Sequence, residues 1–423
     1  MMVFDTTLNN LFIWNGTAWE SVPSSGDSLN TEVIFNDNGV LVGDVGLTYD
    51  KTTQKLTVGT SINIWRGFLN DSTSVAVGPA TLTETIAGAI RNTFVGSNAG
   101  QFVSSGNRNV GVGTGAIQSV NGFELTGSQN VGVGNNALAA ANTTANNNTA
   151  IGNAAGGTVT TGAGNVAVGH DALNGAGTTG NNNIAVGNTA MAGPSTITGA
   201  DNIGIGRSTL GALTSGANNI AVGQNALTAS TVSDLTAVGA SALAANTTGT
   251  NNTAVGRSAL AANLTGIQCT AVGQNTLADL QTGTGNTAFG FQALNTGTGG
   301  SNNVAVGVSA LFAGGGSNNN TGVGNNALLA ATGNSNIALG SSAGTNIVGG
   351  TSNICIGVSA STSAAGISNE LVIGSVGQFV AQPTAATFYA FGAAGGVLLP
   401  ATCSGAIRIY LNGAFVKIPV YPN

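Results

Sequence analysis

Charge is scarce in this chain: of 423 residues only nine are Lys or Arg, 15 are Asp or Glu, and one is His. With a formal net charge of −6 and no basic cluster, the sequence lacks the electrostatic footprint of a nucleic-acid-binding protein. Between Gly78 and Gly374 there is neither Trp nor Tyr, so the stacking platforms of a polysaccharide-cleaving groove are missing. The carboxylates there (Glu84, Glu124, Glu370, Asp171, Asp201, Asp234 and Asp279) are scattered rather than paired as glycoside hydrolysis requires. No run approaches the ~18 apolar residues of a membrane-spanning helix, and Met1–Asn10 has neither a basic stretch nor an apolar run, so neither membrane insertion nor an export signal is expected. The three cysteines form no Cys-x-x-Cys pair. Cys269 and Cys355 lie too many repeats apart for a disulfide, and free, packed thiols are expected. The single histidine, His170, precedes Asp171 on a turn, with no serine or buried acid placed to complete a triad. There is no Gly-Lys dipeptide and no calcium-binding nonapeptide. The expectation is a protein that is not an enzyme and carries no cofactor and no metal.

What the chain has in quantity is glycine, 67 residues of it, placed periodically. A motif Asn-(Val/Ile/Thr)-(Ala/Gly)-(Val/Ile)-Gly-x-x-Ala-Leu recurs with its last Gly at positions 78, 96, 113, 134, 152, 169, 187, 206, 223, 239, 256, 273, 290, 307, 324, 340, 357 and 374. The spacing is 16 to 21 residues and most often 17. A unit this short cannot bury a core alone and must stack on its neighbours. Helical repeats are longer and avoid Gly, and collagen needs Gly at every third residue, so both are excluded. The alternating, β-branched pattern of Asn219-Ile220-Ala221-Val222-Gly223 or Asn303-Val304-Ala305-Val306-Gly307 is that of a strand. The fold expected is all-β: a parallel β-solenoid, or β-roll, of about 18 coils, each with two short strands joined by Gly/Asn/Thr turns.

The residue before each marker Gly is large and aliphatic or aromatic (Val77, Val112, Ile151, Ile205, Phe289, Leu339, Ile373), and the third before it is usually Val, Ile or Thr. That face is expected to fill the coil. The position between them is Ala or Gly in fifteen of eighteen copies and is expected to point outward. A small apolar row facing out argues for close packing against other chains. Ala221, Ala254, Ala271 and Ala305 are therefore the candidate packing residues of a homotrimer wound about one axis. The alternative is a monomeric solenoid whose narrow interior holds both rows. Asn occupies the fourth position before the Gly in fourteen copies, with Ser74, Leu235, Cys269 and Glu370 as exceptions, and such a column can hydrogen-bond along the stack.

Four parts and a linker follow from the pattern. Residues 1–22 read as a compact β end piece with an Asn15-Gly16 hairpin signal, followed by a linker at 23–29. Residues 30–66 read as a β meander leading into the shaft at 67–374, and residues 375–423 read as a C-terminal β cap or tip with a hairpin at Asn412-Gly413. Aromatics return in the last part: Phe379, Phe388, Tyr389, Phe391, Tyr410, Phe415 and Tyr421. They are the candidate receptor-contact residues, since such rings offer large contact area at small entropic cost.

The repeat, as in Asn252-Thr253-Ala254-Val255-Gly256-Arg257-Ser258-Ala259-Leu260, resembles the head repeats of trimeric autotransporter adhesins, left-handed parallel β-rolls that trimerise and bind host surfaces. The lead-in, Phe35-Asn36-Asp37-Asn38-Gly39 and Gly46-Leu47-Thr48-Tyr49-Asp50, and the opening, Phe4-Asp5-Thr6-Thr7 to Trp14-Asn15-Gly16-Thr17-Ala18-Trp19-Glu20, resemble bacteriophage fibre proteins. Neither an export signal nor a membrane-anchor barrel is expected from the sequence, which disfavours an autotransporter and favours a phage fibre; the self-cleaving chaperone of many phage shafts is not expected either, which would leave trimer nucleation to the C-terminal cap. The expectation from the resemblance is a structural virion fibre. It would be held by its N-terminal piece to an attachment protein, present its tip to a host glycan or protein, and reside on the particle. A structural filament or capsid-decoration fibre without a specific receptor, or a bacterial surface adhesin, remains the alternative.

Overall fold

The computed structural model describes the solenoid at residues 74–374, apart from residues 82–88, 120–124, 140–143 and 315. Outside it, Thr17 and the backbone of the strands named below are described. Strands β1 (Met2–Asp5), β2 (Asn10–Trp14) and β3 (Trp19–Ser21) form an antiparallel sheet in which Trp14 is opposite Trp19. Strands β4 (Asn30–Asp37), β5 (Val40–Asp50), β6 (Lys55–Val58) and β7 (Ile62–Arg66) pair antiparallel in order. Strand β7 then pairs antiparallel with β8 (Val75–Val77), the first strand of the solenoid, setting Trp65 opposite Ala76. The hydrogen-bonding edge that a parallel stack would leave open at its start is thereby occupied. Seventeen further three-residue strands, from Thr93–Val95 to Leu371–Ile373, follow in parallel. Their register is strict: Ala254 pairs with Ala237 on one side and Ala271 on the other. Residues Met1–Val380 form one compact unit and Ala381–Asn423 a second, in which Gly405–Leu411 and Ala414–Val420 make an antiparallel hairpin.

Each coil holds one short strand; the expected second strand is a succession of bends. Three non-glycine residues in a typical coil take left-handed backbone, as with Asn251 (φ 57°), Ser258 (φ 56°) and Leu260 (φ 51°). This conformation costs roughly 1–2 kcal/mol per residue. It persists because the bent chain still hydrogen-bonds to the next coil: the Leu260 N–H donates to the Thr276 carbonyl (3.0 Å) and the Ala262 N–H to the Ala278 carbonyl (2.9 Å). The marker glycines are more demanding. At Gly273, φ is +135° and a Cβ would lie 2.5 Å from the carbonyl oxygen of Gly290 in the next coil, so no other residue fits.

The Asn column forms the ladder its spacing implies. The Asn303 N–H donates to Asn286 Oδ1 (3.0 Å), and its Nδ2 donates to the same oxygen (3.1 Å) and to the Ser317 carbonyl (2.7 Å). Asn320 repeats the pattern by donating its N–H to Asn303 Oδ1 (2.9 Å). Buried amides left unpaired would cost about 1–3 kcal/mol each, so the column is self-enforcing. At the last coil Glu370 replaces Asn: its N–H donates to Asn353 Oδ1 (2.9 Å), while its Oε2 accepts from the Ser363 N–H (2.9 Å) and Oγ (3.3 Å).

The two faces of the strand are the reverse of the sequence expectation. The small middle row points inward: Ala221, Ala254, Ala271 and Ala305 are fully buried within one chain, so they are core residues and cannot be trimer contacts. The large rows point outward, with Ile151, Ile205, Phe289, Leu339 and Ile373 all exposed. The reason is the narrowness of the coil. In most coils the interior is already filled by a Leu four residues after the marker Gly (Leu227, Leu243, Leu260, Leu277), leaving room for only a methyl group opposite. A Cβ built on Gly322, which occupies the middle row, would already sit 3.3 Å from Leu311 Cγ of the preceding coil. Replacing Ala254 by Leu is therefore expected to cost about 1–3 kcal/mol by overpacking each chain's own core. The check is the denaturation midpoint measured across protein concentrations. A loss that vanishes under dilution would contradict this placement.

Candidate interaction surface of the solenoid

Turning the large residues outward leaves two parallel columns on the strand face, each contributing one side chain per coil. The column before the marker Gly runs from Val77 and Val95 to Ile356 and Ile373; it is aliphatic in every coil but one, where Phe289 stands. The other, from Val75 and Thr93 to Ile354 and Leu371, alternates Val, Ile and Leu with Thr and has an unbroken Thr block at Thr236, Thr253, Thr270 and Thr287. No charged residue occurs in either. Exposure is substantial: Ile151 is 44 %, Phe289 43 % and Val255 37 % accessible. The column before the marker Gly is apolar in every coil of the solenoid, a longer continuous row than the scattered apolar residues that soluble monomers usually leave open. Near Phe289 the stripe widens, because Phe291 and Val308, each just after a marker Gly, are also exposed.

The other residues singled out by sequence do not gather into a site. His170 Nδ1 and Asp171 Oδ2 lie 3.1 Å apart on an exposed turn, and Asp171 Oδ1 accepts from Asn174 Nδ2 (2.9 Å). Among the described residues there is no group of three His, Cys, Asp or Glu that could hold a metal ion, and no helix long and apolar enough to cross a membrane. Of the aromatic candidates near the C-terminus, Tyr410 and Phe415 sit opposite each other in the hairpin register. Phe379, Phe388, Tyr389, Phe391 and Tyr421 lie outside the described residues.

Cys269 and Cys355 are both free and buried. Cys269 takes an Asn position in the ladder, where its N–H donates to Asn252 Oδ1 (2.9 Å) and its thiol to the Gly283 carbonyl (3.4 Å). Burial pushes its pKa up, against smaller opposing hydrogen bonds from Asn286. Cys355 sits in the inward middle row, and burial, assisted by the Glu370 carboxylate, pushes its thiol up to about 11. The folded-state value is thus above the unfolded one, so the stability this thiol supports is intact below about pH 9 and declines as pH rises toward 11. Alkylation of native protein at pH 8 is expected to leave Cys355 unmodified, with labelling appearing only on unfolding; rapid native labelling would contradict its placement. Neither a known family model nor a characterised protein sequence matches the chain.

Proposed function

We propose that this chain is the subunit of a structural fibre of the virion type, in which three copies bring their apolar strand faces together around a common axis. The carrying observation is the uncharged double column on the exposed strand face. A surface repeating once per coil over eighteen coils is best covered by a partner with the same axial period, and a second copy has that period by construction. A chain meeting its own image also meets its own charges, and a face with none avoids that repulsion. With fifteen of the 36 outward side chains exposed and the others half-buried, the area available is on the order of 1,500 Å² per chain, above the ~800 Å² per partner of a standard stable interface. The trimer expected from sequence is thus retained, on the opposite row of the strand.

The repeating architecture supports the fibre reading without being specific to it. One coil rises ~4.8 Å, so eighteen of them would extend about 85 Å. Attachment through the N-terminal piece and host contact through the aromatic-rich C-terminal segment complete the reading, which rests on the resemblance of the repeats and of the opening to fibre proteins. The purified protein is expected to have three times the 41.0 kDa chain mass by light scattering. Val255→Glu should shift it toward monomer without unfolding it, since Val255 is already solvent-accessible in the single chain. A wild-type species of one chain mass at micromolar concentration would overturn the trimer. For the tip, a panel with Ala replacing each of Phe379, Phe388, Tyr389, Phe391, Tyr410, Phe415 and Tyr421 in intact trimers is expected to include variants that lose host adsorption. Unimpaired adsorption across the whole panel would leave a fibre without a receptor-binding tip.

A further inference from the structure

A stripe built from near-identical coils creates a difficulty of its own. If chains associate through the two outer columns, sliding one chain by a coil, ~4.8 Å along the axis, exchanges one aliphatic residue for another almost everywhere in the column before the marker Gly, and in the other column at most exchanges an aliphatic residue for Thr, which is close to Val in size. The apolar face therefore fixes association strongly but axial alignment weakly, the situation in which register slips. Something in the stripe must differ from coil to coil if the ends of the chains are to come level.

One position does. In the column before the marker Gly, seventeen of eighteen residues are Val, Ile or Leu and the remaining one is Phe289, which is 43 % exposed. Its ring has no counterpart above or below, since its ladder neighbours are Val272 and Val306. Phe291, two residues on and equally exposed, marks the same coil, and Val308 widens the patch in the next. Resting on the trimeric reading above, we propose that Phe289 is the register key of the assembly. Chains related by a three-fold axis place their three Phe289 rings at one level, where they pack on one another. A slip of one coil sets each ring against a valine of its neighbour, so that a phenyl ring is forced into a layer sized for an aliphatic side chain and a gap opens in the layer it left. Both errors are penalised in a close-packed interface. The device is the counterpart of a single distinctive core residue that fixes register in a coiled coil. Specificity comes from one exceptional coil, while the uniform coils supply the affinity.

The test separates alignment from association. Val255→Cys is introduced into a Cys403→Ser background, in which Cys269 and Cys355 are buried. Chains are joined by mild oxidation to the interchain disulfide, whose Cα···Cα reach of about 4.4–6.8 Å leaves little tolerance for a slip of one coil, and the oligomeric mass is measured in parallel. With Phe289 intact, the thiols introduced at position 255 of neighbouring chains are expected to cross-link to one another in high yield. Phe289→Val should lower that yield at least two- to threefold through slipped assemblies. Moving the key by one coil in every chain, with Phe289→Val and Val306→Phe together, should restore it, because the rings again meet at one level. Loss of assembly in the single variant with recovery in the double variant would equally support the key. A single variant that cross-links like the parent, or a double variant that does not recover, would overturn the proposal while leaving the trimer standing. A parent protein of one chain mass would instead remove the trimeric reading on which it rests.

Discussion

The structure depends on how little space there is inside one coil. Directly behind the strand most levels have room for one large apolar side chain, and some bury a second three residues further on, as with Leu210 and Leu213 or Leu277 and Leu280; the rest of the repeat is arranged around that volume. In most coils it belongs to the Leu after the turn, and the strand must then offer Ala or Gly. The first complete coil shows the same constraint inverted. There the strand carries Phe94, fully buried, and the turn position has become Gly100, while Gly111 in the next strand clears the other side of the ring: a Cβ there would lie 2.7 Å from Phe94 Cδ1. Where the turn residue is Gly without a large strand residue, as at Gly156 and Gly344, a residue three positions later fills the space, Val159 and Ile347 respectively, both buried. In these coils the space behind the strand is filled although the source of the side chain in the sequence moves, as expected of an interior packed to crystal-like density.

Around that volume the backbone closes by hydrogen bonds between successive coils, and the Asn column joins one turn of each coil to the next. Its two mid-shaft exceptions are instructive. Leu235 and Cys269 still donate their main-chain N–H to the preceding Asn Oδ1, at 3.1 and 2.9 Å, so each accepts its place in the ladder. Neither side chain offers the next coil the amide oxygen that Asn would. The ladder therefore tolerates isolated gaps because each rung is one contribution of ~1 kcal/mol among many main-chain bonds. The left-handed turns are tolerated for a similar reason, each local cost being offset by bonds that exist only when the neighbouring coil is in place. Local instability and stacking dependence are two aspects of one design, and a single coil would have neither core nor closure.

The period, strand positions and Asn ladder were all legible in the sequence, because each repeats at a fixed offset from the marker Gly. The direction of the faces was not. In a three-residue strand the two flanking residues share a face, and assigning the larger, β-branched pair to the interior follows the general preference of such residues for burial. That preference failed because the Leu supplied by the turn had already taken the interior. The signal that could have decided it is the exchange of Ala254 and Leu260 for Phe94 and Gly100: two positions that trade volume must touch, so the middle row and the turn Leu share one side of the strand. Of the candidate aromatics near the C-terminus, Tyr410 and Phe415 could be placed from sequence on the two sides of the Asn412-Gly413 hairpin signal, whereas the others were identified by composition, with no repeat or turn signal to give them a geometry.

The same periodicity explains the scarcity of charge. A charged residue placed at a repeating position would recur every ~4.8 Å, well inside the ~8–10 Å screening length of ordinary salt. Even in water each such like-charged neighbour costs about 1 kcal/mol, and eighteen in succession would rival the stability of a domain. The acids that do occur on the turn before the Asn column are spaced accordingly. Asp201 and Asp234 are two coils apart with Asn218 between them, and each accepts from an amide, Asn182 Nδ2 at 3.1 Å and Asn218 Nδ2 at 3.2 Å. Arg91 and Arg108, in successive coils, are an exception confined to the start of the stack. Uncharged Asn, Thr, Ser and Gln can repeat without limit, since a hydrogen-bonding column gains from repetition what a charged one loses. A chain that must stack on itself is thus driven toward neutral polar turns and an uncharged apolar face, and that face is then suited to meeting further copies of the same chain.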